Sequence, residues 1–479
     1  MTTSVPASRR EYQVTNPATD EVIAQIPLDT VADLEKMLHR AAAAQKTWAR
    51  VPRHERSAYL RKYADLLRAH REELATLLTR ENGKPIDQAR GEIETTIRIF
   101  QGCGERILAW EEGARFLDSE AGREGDIQIT HHDPLGVIAA IVPFNFPSEL
   151  NAWKVAPAIA TGNTVVVKPS RQAPLTVIRE MELLWEAGVP RDVVQILNGD
   201  QELGHALASH PIPAAISLTG STEAGISVAT AGAKTLKRVA LELGGNDAMI
   251  VFADSDMDRV VAEAVWGRSL SNGQVCCANK RIIVEAAAAE ELVERFKSSF
   301  GGLRLGNPLA AETGLGPLIS RSAAATVADQ VAHSVDQGAR LVCGGGRPDG
   351  AFFGPTVLVD AGAAADVSHD LEIFGPVLDV IPFESESQAV EIANASVYGL
   401  SGAVFSADLG RAMRVALQME TGHISINGTG LYRADAVAWG GYKLSGNVRE
   451  GLGTSLAEFM QTKTLTLRSV LTAGQARRD

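Results

Sequence analysis

The feature that most constrains the fold of this chain is a regular alternation of short apolar runs with helical stretches between residues 136 and 243. The apolar runs have the length of buried strands and cover residues 137–142, 164–167, 193–197, 215–218 and 239–243. Stretches with helical periodicity lie between them, at 149–160, 175–187 and 202–209. Strands that alternate with helices form a parallel sheet, so the pattern predicts an α/β fold with a doubly wound parallel sheet.

Three other regions complete the predicted organisation. Residues 31–113 have helical periodicity, and a second alternating block from 248 to about 422 predicts a second α/β domain. Two short segments with period-2 alternation, 127–132 and 464–467, belong to neither block. We expect them to be arms that pair with another part of the chain or with another subunit, and a local hairpin is the alternative.

The charge balance and the apolar runs exclude several classes of function. Asp and Glu number 58 against 46 Lys and Arg, a formal charge of −12, so we expect no nucleic-acid partner. The longest apolar stretch, 136–146, is interrupted by Pro143 and Asn145 and is shorter than the ~18 residues of a membrane span. Residues 1–11 are polar and show no secretory signal. The sequence therefore predicts a cytoplasmic protein without a membrane partner.

The cysteines are too few for a disulfide framework. Cys103, Cys276, Cys277 and Cys343 also do not have the spacing of a four-ligand zinc site. We therefore expect reduced thiols and no metal.

Three polar residues stand where reaction chemistry would need them, although each has a simpler interpretation. Cys276 follows a glycine-bearing turn, but a lone cysteine is often a small buried hydrophobe. Glu242 ends a predicted buried strand, where a raised pKa suits a general base, unless Lys or Arg pairs with it. Asn145, between two aromatic residues, could donate to an oxyanion or could simply form a turn.

Two further segments are suited to phosphate or ribose. Residues 218–225 follow a predicted strand and open a helix, so their free N–H groups can bind an anion. Lys168, Ser170 and Arg171 follow the strand at 164–167, where ligands bind in open parallel sheets. The GxGxxG fingerprint is absent from the chain, so a dinucleotide would be held in a variant way.

Taken together and in this order, these motifs resemble the aldehyde dehydrogenase superfamily along nearly the whole chain. The motifs that carry the resemblance are Pro143-Phe144-Asn145-Phe146-Pro147, Gly162-Asn163-Thr164 before Lys168-Pro169-Ser170, Thr219-Gly220-Ser221, Leu241-Glu242-Leu243-Gly244-Gly245, Gly273-Gln274-Val275-Cys276, Glu372-Ile373-Phe374-Gly375-Pro376, and Gly440-Gly441-Tyr442-Lys443 with Ser445-Gly446 and Arg449-Glu450.

The resemblance implies an oxidoreductase that converts an aldehyde to the carboxylic acid with NAD or NADP. Cys276 would be the nucleophile, and Asn145 with the Cys276 backbone N–H would hold the oxyanion. Glu242 would activate the water that hydrolyses the thioester. The branch of the family that transfers the acyl group to coenzyme A typically lacks this glutamate, so hydrolysis is favoured. A non-catalytic member of the fold is the remaining alternative, and the presence of all three residues argues against it.

The resemblance also implies the cofactor site. Lys168 and Ser170 would bind the adenosine ribose, Ser221 the pyrophosphate, and Glu372 with Phe374 the nicotinamide ribose. The full predicted set is Ile141, Phe144, Lys168, Ser170, Arg171, Gly220, Ser221, Gly225, Leu243, Glu372 and Phe374. Arg171 stands where NAD-preferring relatives often have Glu; a guanidinium attracts a 2′-phosphate that a carboxylate repels, so NADP use is a hypothesis.

The substrate tunnel is the least constrained part of the site. An apolar and aromatic set suits an aromatic or alkyl aldehyde and comprises Phe146, Leu150, Trp153, Leu270 and Trp439. Glu149 and Arg433 favour a semialdehyde or an amino-aldehyde instead, unless they are solvated surface charges.

The resemblance divides the chain as follows: 1–122 and 135–243 form the dinucleotide-binding domain, 244–445 the catalytic thiol domain, and 123–134 with 446–479 a small β oligomerisation arm and C-terminal segment. It implies a homodimer or homotetramer.

Overall fold

The protein is described by a computed structural model that covers residues 10–362 and 365–471. The predicted domain ends at 1–9 and 472–479 lie outside the described residues. The first part is a β-hairpin followed by four helices: β1 (Glu11–Thr15), β2 (Val22–Pro27), α1 (Val31–Trp48), α2 (Arg53–Ala69), α3 (Arg71–Asn82) and α4 (Ile86–Leu108). The helical periodicity of 31–113 is thereby confirmed. Two strands follow, β3 (Gly113–Phe116) and β4 (Ile127–Pro134).

The alternating block folds as the sequence predicts. Its elements are β5 (Val137–Ile141), α5 (Pro147–Thr161), β6 (Thr164–Lys168), α6 (Leu175–Glu186), β7 (Val194–Ile196), α7 (Gln201–Ser209), β8 (Pro213–Thr219), α8 (Thr222–Ala233) and β9 (Arg238–Glu242). The strands form a five-stranded parallel sheet in the order β7-β6-β5-β8-β9. From β5 the chain adds β6 and β7 on one side of the sheet, and it then adds β8 and β9 on the other side of β5. The boundary between β5 and β8 is therefore the switch point of the topology. Ligands bind at such a switch point, outside the carboxyl ends of the strands.

Successive residues of β5 point to opposite faces of this sheet, and both faces are buried. Ile138 and Ala140 pack into the cluster that includes α4 and α5, whereas Val137 and Ala139 pack into the cluster that includes α1 and α7. A strand covered on both sides reads as a continuous apolar run, which explains the sequence pattern.

The second block contains the following elements: β10 (Asp247–Val251), α9 (Met257–Ser269), β11 (Asn279–Glu285), α10 (Ala286–Ser299), α11 (Arg321–Asp336), β12 (Arg340–Cys343), β13 (Thr356–Val359), β14 (Val377–Phe383), α12 (Glu386–Asn394), β15 (Tyr398–Gly399), β16 (Ser401–Phe405), α13 (Leu409–Ala416), β17 (His423–Ile426) and β18 (Tyr442–Lys443). Seven strands form a sheet in the order β12-β13-β14-β11-β10-β16-β17, parallel except for β12.

The last elements are α14 (Thr454–Glu458) and β19 (Met460–Leu467). β19 pairs antiparallel with β4 along its whole length, from Met460 opposite Pro134 to Leu467 opposite Ile127, and β3 completes the three-stranded sheet. The two period-2 segments therefore pair with each other although they are far apart in sequence, which confirms pairing with another part of the chain. The 127–132 segment also forms a local antiparallel pair with β3, whereas a local hairpin is wrong for 464–467.

No helix among residues 10–362 and 365–471 combines the length and the apolar character needed to cross a membrane.

Candidate active site

The segment that presents Cys276 begins with a 3₁₀ turn, Leu270–Gly273, whose backbone is left-handed at its end. Ser271, Asn272 and Gly273 have φ of 48°, 58° and 79°. Tertiary contacts hold this uncommon conformation, since the Asn272 side chain donates to the carbonyls of Gly83 at 3.1 Å and Pro317 at 2.7 Å. A side chain at Gly273 would lie 2.3 Å from the backbone of Gly375.

The Cys276 thiol is held in its protonated form. A side-chain hydrogen bond with Cys277, burial and the charge of Glu242 raise the pKa of Cys276 well above its ordinary value, and Lys280 opposes them. The Lys280 ammonium donates to the Cys276 carbonyl at 2.6 Å. Nucleophilic attack by this thiol would therefore need a base, because a thiolate attacks far faster than a thiol.

Asn145 is fixed against the same segment. Its side-chain Nδ2 donates to the Gln274 carbonyl at 3.0 Å, and its own carbonyl accepts from the Lys84 ammonium at 2.7 Å. Lys84 in turn forms a buried ion pair with Glu92. An amide nitrogen has two N–H donors, so one remains for an oxyanion beside Cys276.

Glu242 ends β9 and is buried, with 2% of its surface exposed. Thr219 donates to its carboxylate at 3.1 Å. Burial and the negative charge of Glu450 raise the pKa of Glu242, as expected from the sequence. The alternative that Lys or Arg pairs with Glu242 is wrong, because the two nearby cations, Lys154 and Arg433, pair with Glu450 instead at 3.3 and 3.2 Å.

A cavity of about 910 Å³ lies at the switch point between β5 and β8 and extends to Asn145 and Cys276. The predicted cofactor residues that line it are Ile141, Phe144, Lys168, Ser170, Arg171, Gly220, Ser221, Leu243, Glu372 and Phe374. Gly225 and Glu242 are outside this lining. Gly225 instead lets α8 approach the sheet, because a Cβ there would lie 2.6 Å from the Leu243 side chain.

The cavity has the donors and acceptors that a dinucleotide needs. Ser221 caps α8 and leaves the first N–H groups of the helix free for a phosphate. Burial lowers the pKa of Lys168 to about 8, and Asp200 partly offsets this. Glu372 is held by the Gly245 N–H at 3.2 Å and by Lys280 at 3.3 Å.

Sequence reasoning missed one side of this cavity, which is lined by Gly199, Asp200, Gln201, Gly204 and His205. These residues follow β7 and open α7. The rule that placed Lys168 after β6 would also have found them, because β7 ends at the same edge of the sheet.

The five predicted tunnel residues, Phe146, Leu150, Trp153, Leu270 and Trp439, are outside the lining of the large cavity within the described part of the chain. Trp153 and Trp439 are each 1% exposed, and the Arg433 guanidinium lies against both rings. The interpretation of Arg433 as a solvated surface charge is therefore wrong. Glu149 is half-buried, and burial raises its pKa to about 7.

Comparison with known proteins agrees with this geometry. The profile of the aldehyde dehydrogenase family matches residues 4–465. The glutarate-semialdehyde dehydrogenase of Pseudomonas aeruginosa is 37% identical over 96% of this chain and 94% of its own length. The betaine aldehyde dehydrogenase of Rhizobium etli is 37% identical over 94% of this chain and 92% of its own. The crystal structure of betaine aldehyde dehydrogenase from Staphylococcus aureus in complex with NAD+ superposes with a TM-score of 0.92 at 32% identity, covering 96% and 92% of the two chains.

Proposed function

Because the chain belongs to the aldehyde dehydrogenase family, we propose that Cys276, Asn145 and Glu242 carry out its oxidation of an aldehyde to a carboxylic acid. The protein is an NAD(P)-dependent aldehyde dehydrogenase. The observation that carries the assignment of residues is the large cavity, which has dinucleotide-binding chemistry along its length and ends at Asn145 and Cys276.

The three residues divide the reaction between them. Cys276 loses its proton to Glu242, and its Sγ bonds to the aldehyde carbon. The aldehyde oxygen becomes an oxyanion that accepts from the Asn145 amide and the Cys276 backbone N–H. Bound NAD or NADP supplies a hydride acceptor for that carbon, which leaves a thioester on Cys276. Glu242 releases the Cys276 proton to solvent and then takes a proton from water, whose oxygen bonds to the thioester carbon. The bond from that carbon to Cys276 Sγ breaks as the acid forms, and the thiolate takes back a proton from Glu242.

Hydrolysis, rather than transfer of the acyl group to coenzyme A, is supported by Glu242. The carboxylate is buried and its charge acts on the Cys276 thiol, and burial raises its pKa, which makes it a stronger proton acceptor than an exposed glutamate. Coenzyme A in the assay should therefore leave the product a free acid, and formation of an acyl-CoA would contradict the assignment.

Two substitutions test the assignments separately. Cys276→Ala should abolish oxidation while NAD binding, followed by quenching of protein fluorescence, is retained. Glu242→Gln should turn over about 10²–10⁴-fold more slowly than wild type, because the variant lacks the group that takes the proton from Cys276 before attack and from water before hydrolysis. An unchanged rate in Cys276→Ala would overturn the assignment of Cys276 as the nucleophile.

The domain assignment and the oligomeric state are part of the proposal. The five-stranded sheet serves as the dinucleotide-binding domain, 1–122 with 135–243, and the seven-stranded sheet as the catalytic domain, 244–445. The three-stranded sheet, built from 123–134, β3 and the C-terminal segment, serves as an oligomerisation arm. It has two edge strands, β3 and β19, and β17 is an edge of the large sheet. Open edges pair with other strands, which supports a homodimer or homotetramer. Light scattering that gives the mass of a monomer would contradict it.

The substrate can be assigned to one of two classes. Leu150, Trp153 and Trp439 favour an aromatic or alkyl aldehyde. A charged aldehyde is the second candidate, favoured by the position of Arg433 against the two tryptophans. Similar proteins are named for glutarate semialdehyde, an anion, and for betaine aldehyde, a cation, so the likeness alone does not choose between charges.

A further inference from the structure

The guanidinium of Arg433 lies against two buried tryptophans. Its central carbon is 4.5 Å from the ring centroid of Trp153 and 5.6 Å from that of Trp439. The Arg433 side chain is 13% exposed. A cation between indole faces is stabilised by the ring quadrupoles, more strongly when water is excluded.

Two tryptophans facing one space are also the arrangement that binds quaternary ammonium ligands. In this chain the protein's own cation already lies against both rings. A cationic substrate tail would meet a like charge in a poorly hydrated place, where repulsion is strong. The tryptophan pair therefore disfavours cationic aldehydes while Arg433 is present.

Arg433 has hydrogen-bonding capacity to spare. Its Nη2 donates to Glu450 at 3.2 Å, and its Nε is buried without an acceptor among the described residues. A guanidinium has five N–H donors in a planar fork that matches a carboxylate or sulfonate. An anionic group would supply the acceptors that the protein does not.

The charges around Arg433 are also compatible with the binding of an anion. Glu450 is shared between Arg433 and Lys154, so one carboxylate faces two cations. The pKa of Glu242 is raised, and that of Glu149 is raised to about 7, both by burial first. Near and below neutral pH the Glu149 carboxyl is partly protonated, and a protonated carboxyl donates to an anion.

The distance from the reaction centre suits a short substrate. Helix α5 begins at Pro147, directly after Asn145 and Phe146, and carries Trp153. The six residue steps from Pro147 to Trp153 rise about 9 Å along the helix. We propose that Arg433 selects short-chain aldehydes with a terminal carboxylate or similar oxyanion and excludes those with a cationic tail. This inference rests on the proposed function.

Three aldehydes with a four-carbon chain and different charges test whether Arg433 selects anionic substrates. Succinate semialdehyde is anionic, butanal is neutral, and γ-trimethylammoniobutyraldehyde is cationic. For the wild-type enzyme kcat/KM should be at least about tenfold higher for succinate semialdehyde than for butanal, since a charge-assisted pair contributes to binding, and lowest for the cation. Butanal oxidised as efficiently as succinate semialdehyde overturns this inference but leaves the proposed function intact, and so does oxidation of benzaldehyde alone in the same assay. Oxidation of none of these four aldehydes overturns the proposed function itself.

Arg433→Gln identifies the residue responsible. The preference for succinate semialdehyde over butanal should disappear, and kcat/KM for the cation should rise at least about tenfold because the tryptophans become available. Arg411→Gln is the matched control: Arg411 stacks on Phe252 at 4.8 Å outside the site, and its loss should change none of the three values. A charge preference unchanged in Arg433→Gln overturns the inference.

A measurement on the wild-type enzyme covers the case in which the Arg433 variant does not fold. Succinate and choline are compared as competitive inhibitors of butanal oxidation. Succinate should inhibit at a concentration at least about tenfold lower than choline does. Equal inhibition, or stronger inhibition by choline, overturns the inference.

Discussion

Thr219 donates a hydrogen bond to Glu242 at 3.1 Å and accepts one from Lys154 at 2.7 Å, so the hydroxyl joins the proposed base to a buried ammonium. This bond lowers the pKa of Glu242 against the upward effect of burial. Thr219→Val keeps the shape and removes the bond, so the pKa of Glu242 should rise further. The lower pH limit of activity should move upward by up to about one unit, as a hydrogen bond of ~1 kcal/mol implies. Thr219→Ser, which keeps the hydroxyl, should match wild type, and an identical pH profile for the valine variant would contradict the relationship.

Cys277 raises the pKa of Cys276 through a side-chain hydrogen bond, the largest of several causes. Cys277→Ala should therefore lower that pKa and increase the thiolate fraction at neutral pH. The rate of alkylation by iodoacetamide, measured by mass spectrometry of the Cys276 peptide, should rise several-fold at pH 7, and the pH midpoint should fall. Cys343→Ala serves as the control, because Cys343 lies on β12, an edge strand of the seven-stranded sheet, and is outside the lining of the large cavity. A lower alkylation rate in Cys277→Ala would show that Cys277 instead stabilises the Cys276 thiolate.

Arg171 lines the large cavity beside Lys168, with its guanidinium 4.8 Å from the ring centroid of Tyr12. If it binds a 2′-phosphate, Arg171→Glu should lower kcat/KM for NADP at least about tenfold and leave NAD within a few-fold. The control is Arg191→Glu, which removes another arginine stacked on a ring, at 4.0 Å from Trp185 and outside the cavity lining. Equal losses of kcat/KM with NADP and with NAD would show that Arg171 does not select between the two cofactors.

Lys84 binds the Asn145 carbonyl and lies 3.9 Å from the ring centroid of Phe146, so it acts through these neighbours and is a positioning residue. Lys84→Met leaves Glu92 buried without its partner and should loosen Asn145. We expect kcat to fall about 10²-fold with a smaller change in KM, because an oxyanion donor acts mainly in the transition state. Denaturant unfolding of the same variant separates this effect from a loss of stability; equal falls in kcat and in folded fraction would leave Lys84 a structural role alone.

Gly273 is required by backbone geometry. Its φ is 79°, and an added Cβ would lie 2.3 Å from the Gly375 backbone. Gly273→Ala should reduce the free energy of unfolding by about 2–6 kcal/mol, from the strained backbone and the overlap together. Gly346→Ala, where a Cβ meets nothing within 4 Å, should be nearly neutral. Thermal unfolding of the two variants compares them directly.

Much of the fold follows from the sequence, and so does the proposal of which residues react. The apolar runs of β5, β6 and β8 are long and continuous because both faces of their sheet are buried, and such a pattern is local. Cys276, Asn145 and Glu242 stand in short motifs that resemble those of the aldehyde dehydrogenase superfamily, and this resemblance implies their roles. The sequence did not predict that the two arms, β4 and β19, pair with each other. They are far apart in the chain, and period-2 alternation does not indicate which strand a segment pairs with.

Only the tertiary structure decided what the charges do. The sequence shows Lys154, Glu242, Arg433 and Glu450 as four separate ionisable residues, and pairing within the buried cluster depends on which side chains folding brings within reach. In the folded chain both cations pair with Glu450, and Glu242 accepts a hydrogen bond from the Thr219 hydroxyl. Folding also places Arg433 against Trp153 and Trp439. Local periodicity determines elements, whereas the burial and pairing of a charge are properties of segments that meet only in the folded chain.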